Sequence, residues 1–216
     1  MPHFIGYLLL FLLPFSTVAQ DSLLVPGQPK WFIKWNPLSL LDTESMFQIS
    51  AEHRITKRTA IQAELGYGPP FLSSISPLNN GSLDHRQAWR LRMEYRLYRL
   101  RDSQKGRYWA LEAFAMTVNG TRVIFIDTLL FPIHKRVLGG HVKAGIQRPF
   151  GRQTRFYYDF YAGLGLRYNH TFADPANGLP YIHPVGGWFD LYRPRNYLAP
   201  SVTIGLKLAY PLNGSA

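Results

Sequence analysis

Charged residues recur at every second position along otherwise apolar stretches of this chain, and that spacing is its first hint of chemistry. Lys34, Arg54, Arg90, Arg92, Arg96, Lys143, Arg167 and Lys207 stand against Glu52, Glu64, Glu94, Glu112 and Asp159. Alternate residues of an extended chain share a face, so these side chains gather on one side of whatever sheet carries them. Enclosed, such a face must pair acid with base; lining a water path, it would carry ions. The excess of eight bases over five acids would make that path anion-preferring. If the sheet closes into a narrow barrel, side chains just fill its interior. The expected use is then a salt-bridge network of Arg90, Arg92, Glu94, Arg96, Glu112, Lys143, Asp159, Arg167 and Lys207.

Histidines raise a second chemistry, because hydrolysis or acyl transfer can use a His beside a hydroxyl or carboxylate. Thr171 follows His170, but neighbours on a strand point to opposite faces, and the same-face position is Phe172. No local dyad exists there. His85, His134, His170 and His183 all fall toward one end of the segments described below, with Asp84, Asp174 or Asp190 as possible partners. Their spacing matches no metal-ligand pattern, so polar loop histidines are the simpler reading, and neither a catalytic residue nor a cofactor is assigned.

Binding chemistry is most concentrated between Tyr181 and Tyr197, where Trp188, Phe189, Tyr192 and Arg193 surround Gly186-Gly187. Aromatics with Arg are the residue types of binding hot spots, which makes this loop the candidate contact for a protein partner or for lipopolysaccharide. Self-packing over a barrel mouth is the alternative. Asn80-Gly81-Ser82, Asn119-Gly120-Thr121 and Asn213-Gly214-Ser215 match a glycosylation sequon, but Asn-Gly is foremost a turn signal and they are read as turns. Arg54, Lys57, Arg58, Arg99, Arg101, Lys105, Arg107, Arg148, Arg152 and Arg155 face only Asp102. That basic rim could attract anionic headgroups or an acidic partner.

Eight segments must position these residues. Period-two alternation is clearest from Arg155 to Asn169, from Trp89 to Tyr98 and from Leu198 to Tyr210, with weaker versions at Trp31 to Leu40, Met46 to Ile55, Thr59 to Tyr67, Tyr108 to Val118 and Arg136 to Arg148. Most reach the roughly 9 to 11 residues that a tilted strand needs to cross a bilayer. The connections Thr56 to Arg58, Arg99 to Arg107 and Phe150 to Thr154 are short. Gly68 to His85, Asn119 to Lys135 and His170 to Arg195 are long, and only Leu41 to Ser45 breaks the rhythm. Short inner turns and long outer loops are the phase of a transmembrane barrel. A soluble lipocalin-like barrel would alternate equally, with its apolar face inward. Gly66, Gly139, Gly145, Gly163, Gly165 and Gly205 share the charged face, where absent side chains make room for Arg and Lys in a crowded interior. Trp31, Trp35, Trp89, Trp109, Tyr168 and Tyr210 lie toward strand ends on the apolar face, as aromatic girdles do. Val123 to Ile133 is apolar for a loop and either extends its flanking strands or adds a ninth.

Phe4 to Phe15 is an almost unbroken apolar run ending in Ser16, Thr17, Val18 and Ala19, the pattern of a signal peptide cleaved after Ala19. It is too short for a membrane helix. The expected organisation is a signal peptide over 1–19, a lead-in over 20–29, a barrel over 30–210 and a tail over 211–216. The chain has 216 residues, net charge +11, 15% aromatics and no cysteine, so an exported form has no disulfide to hold it. Nucleic-acid binding is disfavoured, because the positive charge alternates with apolar residues instead of forming a stripe and an exported chain rarely meets nucleic acid.

Trp35-Asn36-Pro37-Leu38, His134-Lys135, Gly139-Gly140-His141-Val142-Lys143 and Asp159-Phe160-Tyr161-Ala162-Gly163-Leu164-Gly165-Leu166-Arg167-Tyr168 resemble a small outer-membrane barrel family of Gram-negative bacteria with no assigned function. The similarity runs from about Lys30 to Tyr210, and the architecture is similar to OmpA/OmpX-type barrels. One departure is that the chain continues past Tyr210 to Ala216 instead of ending in an aromatic residue. The resemblance implies an eight-stranded antiparallel up-and-down transmembrane β-barrel in the outer membrane, and transfers no site residues. The expected role is structural or surface-interacting, as a monomer in contact with outer-membrane lipid and lipopolysaccharide. A narrow anion-preferring channel and a lipid-modifying enzyme are the alternatives.

Overall fold

The computed structural model describes residues 30–42, 44–74, 83–99, 106–124, 129–151, 155–174 and 194–212. The expected signal peptide and most of the last long loop lie outside them. Eight antiparallel strands form one sheet: β1 (Trp31–Trp35), β2 (Phe47–Arg54), β3 (Thr59–Gly68), β4 (Asp84–Tyr98), β5 (Arg107–Ile124), β6 (Leu129–Pro149), β7 (Tyr157–Ala173) and β8 (Arg195–Pro211). The sheet closes on itself, because β1 pairs with β2 through Trp31↔His53 to Trp35↔Ile49 and with β8 through Phe32↔Pro211 to Trp35↔Leu208. The connections 55–58, 99–106 and 150–156 lie at one end with the start of β1 and the end of β8. We term this the short-turn end, and the opposite one the long-loop end.

Which face turns outward separates the two kinds of barrel considered above. Leu65, Leu91, Met93, Leu111, Leu138, Leu164, Val202 and Ile204 all point out, each more than half exposed. Glu52, Glu64, Arg92, Glu94, Arg96, Glu112, Lys143, Asp159 and Lys207 point in and are buried. The apolar face is therefore outside, opposite to a lipocalin-like arrangement. Trp31, Trp35, Trp89, Trp109, Tyr168 and Tyr210 are all exposed on that outer face.

Two strands depart from the sequence expectation. β1 ends at Trp35 instead of continuing to Leu40, and Pro37–Leu41 forms a 3-10 turn. Proline lacks the N–H that a strand ladder needs, so β1 stops where Pro37 arrives. β8 runs on toward the long-loop end above Leu208, paired with β7 on one side and with no strand on the side that β1 has left. The 3-10 turn sits against this open edge, and Pro200 lies along it. Val123 to Ile133 extends its neighbours: β5 and β6 pair from Arg107↔Ile146 up to Ile124↔Leu129. The fifth connection is thus the short 125–128 on a long hairpin, not a long loop, and among the described residues that segment forms no ninth strand.

The interior is filled in tiers. Ala60, Tyr98, Tyr108, Ala110 and Tyr161 form an apolar and aromatic group. Nearer the long-loop end, Met46, Leu83, Ala88, Met116, Val118, Ile133 and Val137 form another. Three of the six inward-face glycines make room for rings, a use not foreseen from the sequence. A Cβ on Gly145 would run into the Tyr108 ring, one on Gly205 into the Tyr161 ring, and one on Gly139 would meet Phe114 Cζ at 2.7 Å. Gly163 serves as expected, leaving space for the Lys143 stem, and Gly66 does so more loosely beside Arg90.

This ring-for-glycine exchange is testable by thermal unfolding. Gly205→Ala should destabilise by about 1–3 kcal/mol through overpacking. Combined with Tyr161→Leu, it should cost less than the sum of the two single changes, because the smaller side chain vacates the contested space. Strict additivity would mean that the two residues do not share it.

Candidate functional site

Between the interior apolar tiers lies a set of ten charges from all eight strands. Glu94 and Glu112 stand directly opposite one another on β4 and β5, a like-charge pairing that is unfavourable alone. Lys143, from β6, reaches both carboxylates at 2.6 Å and removes the conflict. Glu94 also holds Arg96 at 2.7 Å and Lys207 at 3.1 Å. Arg96 continues to Glu52 at 2.9 Å and Asp159 at 2.7 Å, and Lys34 contacts the same two acids at 2.6 Å. Lys207 and Arg92 meet at Glu64, at 2.6 and 3.2 Å. Five bases thus meet five acids. Tyr98 donates to Glu52 at 2.9 Å and Tyr108 to Asp159 at 2.6 Å. Lys34, Glu52, Arg96, Lys143, Asp159 and Lys207 retain no accessible surface.

The remaining inward bases lie nearer the ends. Arg90 pairs with Asp42 at 2.9 Å, and Glu44 takes Arg86 and Lys135 at 3.0 Å each. The acids Asp42 and Glu44 and the bases Arg86 and Lys135 were not singled out from the sequence as members of this network. The segment carrying them folds in over the barrel, fixed by Ser39 Oγ donating to the Met46 carbonyl at 2.6 Å. Arg54 lies over the Phe32 and Tyr98 rings at 5.0 Å and within 3.7 Å of Glu52. Arg167 differs from its expected role. It has no acidic partner among the described residues, its Nε is buried without a hydrogen bond, and it borders a cavity.

That cavity, about 370 Å³, occupies the half of the barrel toward the long loops. Its wall includes inward Arg90, Arg92, Phe114, His141, Arg167 and Ser201 together with outward Leu38, Leu41, Val202 and Ile204. A space bounded by both faces breaches the barrel wall, at the seam where β1 has ended and the 3-10 turn covers the edge of β8.

Within it, one row of residues crosses four strands: Glu112 opposes His141, His141 opposes Gly165, and Gly165 opposes Ser201. Neighbouring strands are about 4.8 Å apart, so an imidazole on β6 reaches a hydroxyl on β8 only if β7 offers no side chain between them. Gly165 meets that need; a Cβ there would lie 2.8 Å from His141 Cα and collide with the Gly140 carbonyl. His141 Nδ1 lies 2.8 Å from Glu112 Oε1, and its Nε2 lies 2.9 Å from Ser201 Oγ. Glu112 gives its other oxygen to Lys143 and as a carboxylate only accepts. Nδ1 therefore carries a proton, and in the neutral imidazole Nε2 is the acceptor to which Ser201 donates. Phe114 stacks on the imidazole at 5.1 Å and 6°. Chemically this is a serine whose proton has a base within reach and a base whose tautomer is fixed by an acid.

His141 and Ser201 were not picked from the sequence, which directed attention to other histidines. Of those, His134 approaches Asp174 at 3.3 Å and Asn119 at 2.9 Å, and His170 lies against Phe172 and Asn196. His85 is exposed. Among the described residues no three His, Asp or Glu side chains gather as a metal site. His183, Asp190 and the proposed contact residues Trp188, Phe189, Tyr192 and Arg193 lie outside the described residues. The signal that could have found the row was register: Gly165 shares the inward face between two polar columns.

Glu94→Ala should lower the thermal midpoint sharply, since it leaves Arg96, Lys143 and Lys207 short of a partner in a closed interior, a loss of about 3–5 kcal/mol. Glu112→Ala should cost less, because Lys143 keeps Glu94. Equal or negligible shifts would contradict this division of the network.

Comparison of the chain with family models, characterised proteins and solved structures returned no match, so its reading rests on its own residues.

Proposed function

We propose that the protein is an outer-membrane β-barrel of a Gram-negative bacterium, closed to bulk solute flow and working from its long-loop half against lipid and lipopolysaccharide. One observation carries this reading: a closed sheet with a continuous apolar outer face encloses paired charges. Contiguous apolar patches beyond a few hundred Å² are rare on soluble monomers, whereas a bilayer requires that face and also requires every strand edge to be paired or covered. The aromatic residues on the outer face suit the two interfaces of a membrane. Export with a signal peptide over 1–19, a monomeric state and no cofactor complete the proposal.

The channel alternative fits less well. Ion passage needs a continuous water path, but at the charged belt Lys34, Arg96, Lys143 and Lys207 are spent on carboxylates and have no accessible surface. Trp188, Phe189, Tyr192 and Arg193 remain the proposed surface contact in the last loop, and the basic short turns a second one for anionic lipid.

Purified in detergent, the protein should show strong β circular dichroism and migrate differently boiled and unboiled on a denaturing gel. Full solubility without detergent would end the membrane reading. In planar bilayers it should produce no large, steady conductance steps; reproducible steps would restore the channel. Replacing 180–193 by a short Gly/Ser turn should leave the heat-dependent gel shift intact and abolish lipopolysaccharide binding, since loops tolerate change that the scaffold does not. Undiminished binding would move the contact elsewhere.

A further inference from the structure

We infer that Ser201, His141 and Glu112 form a hydrolytic centre that cleaves fatty-acyl esters of phosphate-bearing lipids, which enter from the membrane through the seam between β8 and the 3-10 turn at Pro37–Leu41. The inference rests on the membrane reading above, because the route of entry is through the outer face.

A buried histidine with both ring nitrogens satisfied can be no more than a structural cross-link. Three observations go further. Ser201 is only half-buried, and its hydroxyl lies on a cavity of about 370 Å³ instead of being packed among side chains. That volume is within the range of small-ligand sites. The cavity is bounded by outward Leu38, Leu41, Val202 and Ile204, so a hydrocarbon chain lying against the barrel can pass a headgroup or ester inward without crossing water. The wall also holds Arg167, a guanidinium without an acidic partner among the described residues and with a buried, unbonded Nε. Arg167 sits on β7 two residues from Gly165, the residue opposite Ser201, and so is diagonal to the serine on the same inward face. A cation with no acidic partner among the described residues, beside a nucleophile at an opening onto lipid, suits an anionic substrate, and guanidinium suits phosphate.

The reaction balances with water as the co-reactant. Ser201 Oγ attacks the ester carbonyl carbon as His141 Nε2 takes the hydroxyl proton. The C–O bond to the lipid alcohol breaks, and that oxygen receives the proton from His141. Water then adds to the acyl-serine with His141 again as base, releasing fatty acid and restoring the serine. Glu112 touches no reacting atom; it is a positioning residue that holds the imidazole through Nδ1. Above Leu208 β8 keeps β7 on one side but has no strand on its β1 side, and backbone N–H groups pointing to that side are of the donor type that stabilises a developing oxyanion. In a membrane those groups need a use or a cover.

The test uses the full chain in detergent, with phosphatidylglycerol vesicles in one arm and lipopolysaccharide in the other, and released fatty acid read by mass spectrometry. A fluorophosphonate probe reports the nucleophile. Release in either arm, with probe on Ser201, is expected, and the arm that responds identifies the lipid. Ser201→Ala should keep the heat-dependent gel shift while losing probe labelling and on the order of a thousand-fold of the release rate. Glu112→Gln should lower kcat with KM unchanged, which a merely structural acid would not do. Arg167→Gln should raise KM for phosphatidylglycerol but not for diacylglycerol, an ester without the phosphate. A heat-shifted protein that releases nothing in either arm, or whose release survives Ser201→Ala, overturns the inference. A protein without the gel shift overturns the membrane reading instead.

Discussion

Everything in this molecule is subordinate to the pairing of charge inside a closed wall. Taking an ion out of water costs several kcal/mol even after relaxation, and Coulomb attraction offsets that only with good geometry. Five acids and five bases meet that condition because they come from strands in fixed register: Lys143 between Glu94 and Glu112, and Arg96 among Glu52, Glu94 and Asp159. Tyrosine hydroxyls take up remaining lone pairs. A slip of one residue in any of these strands would turn its charges outward, so the interior network and the strand register define each other.

The charged belt also divides the barrel functionally. On its short-turn side the interior is aromatic and tight, with Gly145 giving its space to Tyr108. On its long-loop side the fill is looser, and the cavity appears where Arg167 has no acidic partner among the described residues and β8 has no strand on its β1 side. Glu112 belongs to both regions. One of its oxygens neutralises Lys143 and the other orients His141, which ties the polar row at the cavity to the stiffest part of the structure.

The fold was legible in the sequence to the extent that its periodicity was. Alternation at Trp89 to Tyr98 and Arg155 to Asn169 read directly as strands because apolar and charged residues differ strongly there. β1 read too long because Trp31 to Leu40 alternates past the point where Pro37 breaks the ladder. The fifth connection read as a loop because Gly120 and Pro132 resemble turn residues, whereas in the hairpin Gly120 faces Ile133 and Pro132 faces Thr121. The row at the cavity was less accessible still. Its members come from β5, β6 and β8, and no spacing within one strand relates Glu112, His141 and Ser201. What joins them is the absence of a side chain at Gly165, which signifies only once its opposite residues are known.

The brevity of β1 also bears on how the wall comes together. β5 and β6 meet through contacts close in sequence around 125–128, whereas Phe32 must find Pro211 and Trp35 must find Leu208 across almost the whole chain. Local pairings carry a small loop-closure cost and the most distant one the largest, so the hairpins precede the seam. The four register pairs from Phe32↔Pro211 to Trp35↔Leu208 are then the last join made and the first that thermal motion undoes. Loop-closure cost alone therefore favours the Glu94–Lys143–Glu112 contacts, which lie on the consecutive strands β4, β5 and β6, ahead of the contact of Lys34 on β1 with Asp159 on β7.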